Sequence, residues 1–237
     1  MKLGKPVEGY IKPPHPKGIT LEGNLVILKP LNSIHHADDL FSANSLDKEN
    51  KNWTYLAYGP FSDKNKYSKW VKGFEEIDDP VFFAIITKRN NKALGIASYL
   101  NINLTNGSIE VGHINFSPLL QKTSEATEAM YLMMKWAFKN GYRRYEWKCD
   151  ALNVRSRRAA QRLGFSYEGV FRQMMISKGR NRDTAWFSII DKEWKYLKTC
   201  YLKYLLEDNF DKKRKPKVSL TKLTKAILKK KDNLEFS

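Results

Sequence analysis

Residues 108–165 read SIEVGHINFSPLLQKTSEATEAMYLMMKWAFKNGYRRYEWKCDALNVRSRRAAQRLGF. The first part, 109–116, alternates apolar and polar residues, which is the period of a strand, and Ser117-Pro118 ends it. A short polar loop leads into an amphipathic helix that runs to Gly141. Residues 143–149 form a second strand, and Asn153 opens a second short helix that ends at Gly164. Strand, loop, helix, strand, helix is the order of a βαβ unit. The loop, Gln121 to Ala126, has the form Q-x-x-S-x-A. Its backbone N–H groups stand where a helix dipole begins, which is a seat for phosphate. Ser124 and Ala126 are small where the backbone must come close to a ligand, and Lys122 adds a cation. A plain strand-to-helix connection explains the same residues.

Working outward, Pro6, Pro13, Pro14 and Pro16 among polar residues mark 1–22 as an extended lead-in. Residues 24–31 are the first strand. Ser33 is the N-cap candidate of a helix through Ala43, with Ile34, Ala37, Leu40 and Phe41 on one face. His35 and His36 are neighbours there and point apart, so no metal pair is expected, and no other metal pattern is present. WTYLAYGPF, 53–61, is rich in aromatics: it reads either as a cover for the core or as the wall of a second-substrate pocket lined by Trp53, Tyr55 and Tyr58. Ser62 or Asp63 caps a helix to Ile77 whose end, with Glu75, Glu76, Asp78 and Asp79, reads as an acidic solvated face. Residues 81–88, 93–104 and 109–116 form an antiparallel meander with turns at 89–92 and Asn106-Gly107. Downstream, strands 165–177 and 184–190 flank a turn at 178–183, and 193–206 is helical.

The chain has 237 residues and a formal charge of +17. Ten Lys or Arg and no acid lie between Lys212 and Lys231, and +7 remains without them. Such a surface attracts anions, and charge alone does not choose between a polyphosphate cofactor and nucleic acid. The basic stretch itself reads as a solvated end, as a contact for the ribosome or another polyanion, or as a membrane-surface helix. Twelve Tyr, twelve Phe and six Trp support a packed core and exclude a disordered chain. Cys149 and Cys200 give no disulfide framework, which fits a reducing compartment. With no apolar leader and no membrane-spanning run, a cytoplasmic location is expected, or a nuclear one if the basic tail is an address.

Several segments, in order over about residues 20 to 195, resemble the GNAT superfamily of acetyl-CoA-dependent N-acetyltransferases. Within it the chain resembles the branch that includes the ribosomal-protein N-terminal acetyltransferases. The segments are W-x-Y-L-x-Y-G-P-F from Trp53, E-V-G-H-I-x-F from Glu110, the loop from Gln121, N-x-x-S-R-R-A-A-x-R-L-G-F from Asn153, E-G-V-F-R-Q from Glu168 and K-G-R-N-R-D-T-A-W-F from Lys178. The resemblance implies an α+β fold: a mixed, strongly twisted sheet of about seven strands with helices on both faces. It implies that the fourth and fifth strands, 109–116 and 143–149, splay around the pantetheine arm of acetyl-CoA. The backbone of Ile114, Asn115 and Phe116 would pair with the arm. Gln121, Lys122, Thr123, Ser124, Glu125 and Ala126 would bind the pyrophosphate, and Asn153 would hold the arm from the other side. On this reading 23–206 is the acetyltransferase domain and 207–237 a basic tail with a short helix.

The sequence departs from the family pattern at two places. Ser124 stands where a glycine is common, and it fits without strain only if its φ is negative. Ala160 stands seven residues after Asn153, where many members carry a general-acid Tyr, so Ser156 or water must protonate the leaving thiolate. An acceptor amine is mostly protonated at neutral pH and needs a base. Glu110 is the candidate, and it reads equally well as a solvent-facing charge. His113 lies an odd number of residues away and points to the other face unless a bulge intervenes. A catalytically silent CoA-binding protein that docks on ribosome or nucleic acid through the basic stretch is the alternative from another class.

Overall fold

The computed structural model describes residues 2–234, so the last three residues of the basic tail lie outside it. The sheet has eight strands in the order β1-β2-β3-β4-β5-β6-β8-β7. The strand beyond the expected seven is β1 (Leu21–Glu22), which ends the lead-in and pairs antiparallel with β2 (Val26–Pro30). β3 (Val81–Thr87), β4 (Lys92–Asn103) and β5 (Ser108–Phe116) continue antiparallel. Helix α3 (Ser124–Lys139) then crosses to β6 (Arg144–Asp150), which pairs with β5 in parallel. β8 (Arg180–Ile190) lies between β6 and β7 (Ser166–Ser177). The mixed α+β sheet is thus as the resemblance implies.

Helices cover both faces because the central strands are apolar on both. In β3, Phe82, Ala84 and Ile86 join one core with α1 (Ser33–Asn44) and α2 (Lys64–Lys72). Val81, Phe83 and Ile85 join the larger core with α3, α4 (Val154–Arg162) and α5 (Asp191–Leu205). A strand buried on both sides reads as an unbroken apolar run, as VFFAIIT does.

Several expectations shift. Asn32, not Ser33, caps α1: its side chain accepts from the Ile34 and His35 amides, and Ile34 is 86% exposed rather than part of the buried face. Helix α2 stops at Lys72, because the Gly73 amide closes it, so the acidic stretch is loop. Glu76, Asp78 and Asp79 are exposed, as a solvated face requires, but three of the four acids also take partners. Glu75 accepts the Ser33 amide, Asp78 pairs with Lys17, and Asp79 accepts the Asn101 and Ile102 amides. The last hairpin turn is only Lys178-Gly179, both with positive φ (48° and 73°), which matches the right-handed strand twist.

Among the described residues the basic segment packs on the domain at several points. Its helix α6 (Leu220–Thr224) buries Leu220 and Thr224 beside α4 and α5. Further on, the Lys230 carbonyl accepts the Tyr167 amide at the edge of β7. Asp232 takes Arg157 Nε at 2.7 Å and Nη2 at 2.5 Å, with side chains 2% and 5% exposed. A buried pair of this kind fixes geometry more than it adds stability.

The other end is pinned by a buried carboxylate. Glu128 on α3 accepts the amides of Asn24, Leu25 and Val26 at 2.7–2.9 Å and so ties β2 to the helix. Glu128→Gln keeps one acceptor and places an NH₂ against an amide. It should cost about 2–4 kcal/mol in urea denaturation, since charge-assisted bonds to buried amides are lost; an unchanged midpoint would show that the amides find other acceptors.

Candidate active site

β5 and β6 pair at three positions only: Ser108↔Arg144, Ile109↔Tyr145 and Glu110↔Glu146. Beyond Glu110, β5 runs on to Phe116 with no partner on β6. The fourth and fifth strands of the sequence reading, now β5 and β6, do diverge. A bulge accompanies the divergence. Between the pairs Ile96↔Asn115 and Ser98↔Gly112, β4 has one residue and β5 has two, His113 and Ile114. His113 takes a positive φ of 51°. The extra residue turns His113 to the α1–α2 side, where its ring stacks on Tyr58 at 5.6 Å and meets Phe82 at 5.1 Å. That is the side to which Glu110 points by alternation from core-facing Ile109 and Val111.

Glu110 is 5% exposed and stands where the strands part. Its Oε2 accepts from Asn101 Nδ2 at 2.7 Å and pairs with Lys148 Nζ at 2.8 Å. Lys148 also pairs with Glu146 at 2.9 Å and lies 4.0 Å over the Trp186 ring. Burial raises the Glu110 pKa, and Lys148 opposes the rise. Both donors act on Oε2, and among the described residues no donor is bound to Oε1, which can take a proton. No local sequence pattern marks Lys148 or Asn101. The register β5 to β6 puts Lys148 on the Glu110 face, but a strand register is not readable from one chain.

The loop after β5 closes on itself at one end and is open at the other. The Ser117 carbonyl accepts the Leu120 and Gln121 amides. Thr123 caps α3, with its Oγ1 accepting the Ala126 amide at 3.1 Å. Among the described residues no acceptor reaches the amides of Lys122, Thr123, Ser124 or Glu125. Lys122 carries the positive φ, 62°, and Ser124 does not, so the serine sits without strain. Ser124 and Ala126 are buried, 7% and 4% exposed, against the helix start. Gln121 serves as a strut: its Nε2 donates to Asn52 Oδ1 and the Phe116 carbonyl, both at 2.8 Å. The Phe116 carbonyl also takes Asn52 Nδ2 at 3.2 Å, so both its lone pairs are used, and an added strand must pair nearer Ile114. Asn115 is 2% exposed with neither side-chain polar atom bonded.

Across the gap, the Asn153 side chain accepts the Ser156 amide at 3.1 Å, so Asn153 is the N-cap of α4. Ser156 Oγ accepts from Trp147 Nε1 at 3.0 Å and lies near Cys149, whose thiol burial pushes up to about 11. Of the aromatic loop, Trp53 is 4% exposed in the second core, where it backs Tyr58 and Phe61 and offers no face to a ligand. Tyr55 is different: it is 37% exposed, and its hydroxyl donates to the Leu152 carbonyl beside Asn153. Lys178 from the last hairpin donates to the Trp53 carbonyl at 2.9 Å. The loop therefore spans the mouth of the divergence.

Residues 26–166 match a family model described as an acetyltransferase (GNAT) domain, which is more than half of the chain. The chain belongs to the GNAT family of acetyl-CoA-dependent N-acetyltransferases. It is 41% identical to a GCN5-related N-acetyltransferase from Brucella melitensis, with a TM-score of 0.90, over 92% of this chain and 100% of that one. The uncovered remainder is shorter than 207–237, so part of the basic segment has a counterpart there. A GNAT-family probable acetyltransferase from Chromobacterium violaceum is 38% identical, TM-score 0.76, over 82% and 98% of the two chains. A Bacillus licheniformis protein, uncharacterized N-acetyltransferase p20, is 24% identical over 59% of this chain and 80% of its own. A Vibrio cholerae structure named for ribosomal-protein-serine acetylation shares the fold alone, at 15% identity over 73% and 97% of the chains, TM-score 0.63.

In this GNAT site His113 is held neutral. Burial pushes its pKa down to about 4, Arg182 adds to that, and Asp79 opposes it. An unfolded histidine titrates near 6.5 and so binds more protons than the folded one between those values. The stability from neutral His113 is full above about pH 6.5 and is lost as pH falls toward 4, at about 1.4 kcal/mol per pH unit before solvent screening. The melting temperature should fall through that window, and His113→Gln should flatten the fall; parallel curves for the two proteins would contradict a buried neutral ring.

Proposed function

We propose that the protein transfers the acetyl group of acetyl-CoA to a primary amine, on a small molecule or at a protein N-terminus, by direct attack in a ternary complex. The observation that carries this is the divergence of β5 and β6 next to four unpaired amides at the start of α3. The amides and Lys122 suit the pyrophosphate, with Thr123, Ser124, Glu125 and Ala126 framing it. Ile114 offers strand edge to the pantetheine arm, and Asn153 flanks the arm from α4. Tyr55 and Tyr58 border the acceptor's approach.

In this reading Glu110 Oε1 accepts the proton of the incoming ammonium. The freed nitrogen lone pair forms the C–N bond while the thioester C–S bond breaks, and the proton that the new amide nitrogen must still lose is relayed through Ser156 or water to the leaving thiolate. Ser156 Oγ is polarised by the Trp147 N–H, which supports the donor role. Most of the acceleration comes from holding amine and thioester together in a site shielded by the aromatic loop. A polyamine acceptor is disfavoured: the chain carries +17, and Glu75, Asp78 and Asp79 are already engaged. A polyanion contact, such as the ribosome, is a second reading for the surface that remains, because Lys212, Lys213, Lys215 and Lys217 are all exposed on one turn. Salt-sensitive co-sedimentation with ribosomes would test it. Such a protein works in the cytoplasm.

Glu110→Gln should lower kcat by about 10²–10⁴, with little change in acetyl-CoA affinity, when free thiol release is followed. Because the carboxyl pKa is raised, the active base form is lost as pH falls through a value above the ordinary glutamate range. The variant should lose that acid limb; an intact limb would assign the base elsewhere. Among acceptors, a neutral peptide amine should be turned over faster than spermidine, and the reverse order would overturn the acceptor class.

A further inference from the structure

We propose that Arg214, carried on the basic C-terminal segment, is a phosphate-binding residue of the cofactor site. The inference rests on the acetyl-CoA reading above and adds a residue that lies outside the matched family region, 26–166.

Arg214 is aimed by a tight turn. Phe210 and Pro216 form a bridge, and the Asp211 amide donates to the Lys215 carbonyl. Asp211 Oδ1 accepts the Lys213 and Lys215 amides, both at 2.8 Å. Within this turn Arg214 takes a φ of 59°, a left-handed conformation that costs a non-glycine residue energy. Its guanidinium lies 4.9 Å over the ring of Phe210, which is itself packed on Tyr204 at 5.5 Å. Nη1 bonds Glu207, and Nη2 reaches Ser124 Oγ at 3.4 Å, ninety residues earlier in the chain. Of the five cations between 212 and 217, Arg214 alone has a side-chain bond to the rest of the protein among the described residues.

The placement is electrostatically unfavourable by itself. Ser124 is the first residue of α3, and the start of a 16-residue helix is positive. Arg89 and Arg162 are close by, at 3.6 Å from Glu125 and 3.3 Å from Thr127 Oγ1. Glu125 answers Arg89, and Glu207 answers Arg214 from an exposed position, 80% accessible. An exposed pair of that kind binds weakly and gives way to a stronger anion. A phosphate oxygen between Arg214 and the open amides would satisfy both, and the planar fork of a guanidinium suits it. Glu207 is then a competitor for Arg214 and not a support for it.

That sign makes the test specific. By calorimetry, Arg214→Gln should weaken CoA binding about tenfold, or 1.4 kcal/mol, and reduce its salt dependence. In steady-state assays the loss should fall on the KM for acetyl-CoA and not on kcat. Glu207→Gln should tighten CoA binding about two- to fivefold, by freeing Arg214. The unliganded melting temperatures should stay within about 2 °C of the parent, a surface-sized change. Comparing CoA with 3′-dephospho-CoA identifies the phosphate. Equal losses in Arg214→Gln point to the pyrophosphate, and a loss confined to CoA points to the 3′-phosphate. If the parent protein does not bind CoA, the acetyl-CoA reading fails. If it binds but Arg214→Gln binds as tightly, or if both variants weaken binding with lowered melting temperatures, this inference alone fails.

Discussion

The site depends on one constraint: β5 and β6 can hydrogen-bond only as far as Glu110 and Glu146. Parallel strands in a twisted sheet normally stay paired. Here the bulge at His113 bends β5 away, and the Lys148 side chain sits between the two carboxylates at the fork. The fork thus has a charged hinge. Lys148 neutralises two acids that face each other in register, and like charges directly opposite would otherwise repel. The same ion network occupies Oε2 of Glu110 and leaves Oε1 open at the fork, while burial raises the pKa of that carboxyl.

Around that fork the protein places a cluster of charges that no single element would choose. Arginines crowd the positive start of α3, and a glutamate, Glu128, is buried one turn further on with three amides bound to it. These conflicts make sense as parts of a binding surface in which fixed groups are set before the ligand arrives, so that little reorganisation is needed. His113, Lys122 and Arg214 are among the non-glycine residues that take a positive φ.

The basic segment shows how composition can mislead. Ten cations and no acid over twenty residues resemble a free tail. In the folded chain its sparse apolar residues decide its course. Leu220 drops into the core beside α5, and just past the run Asp232 meets Arg157. Surface lysines stay in solvent along the way. The segment thereby becomes a strap over α4, the helix that presents Asn153 and Ser156.

The sequence by itself determined the order of elements around 108–165, the apolar strand 81–87, the open loop after Pro118 and the membership these imply. Those features are local: strand period, proline stops and helix starts follow from neighbouring residues. It also showed Ala160 where a tyrosine is common. Only the tertiary structure decided that His113 shares a face with Glu110, that Lys148 neutralises Glu110, that Gln121 and Trp53 are supports, and that Arg214 comes to Ser124. The reason is physical. A bulge needs a partner strand against which to be one residue too long, and a hydrogen bond across ninety residues or an ion pair across thirty-eight needs a register that no local pattern encodes.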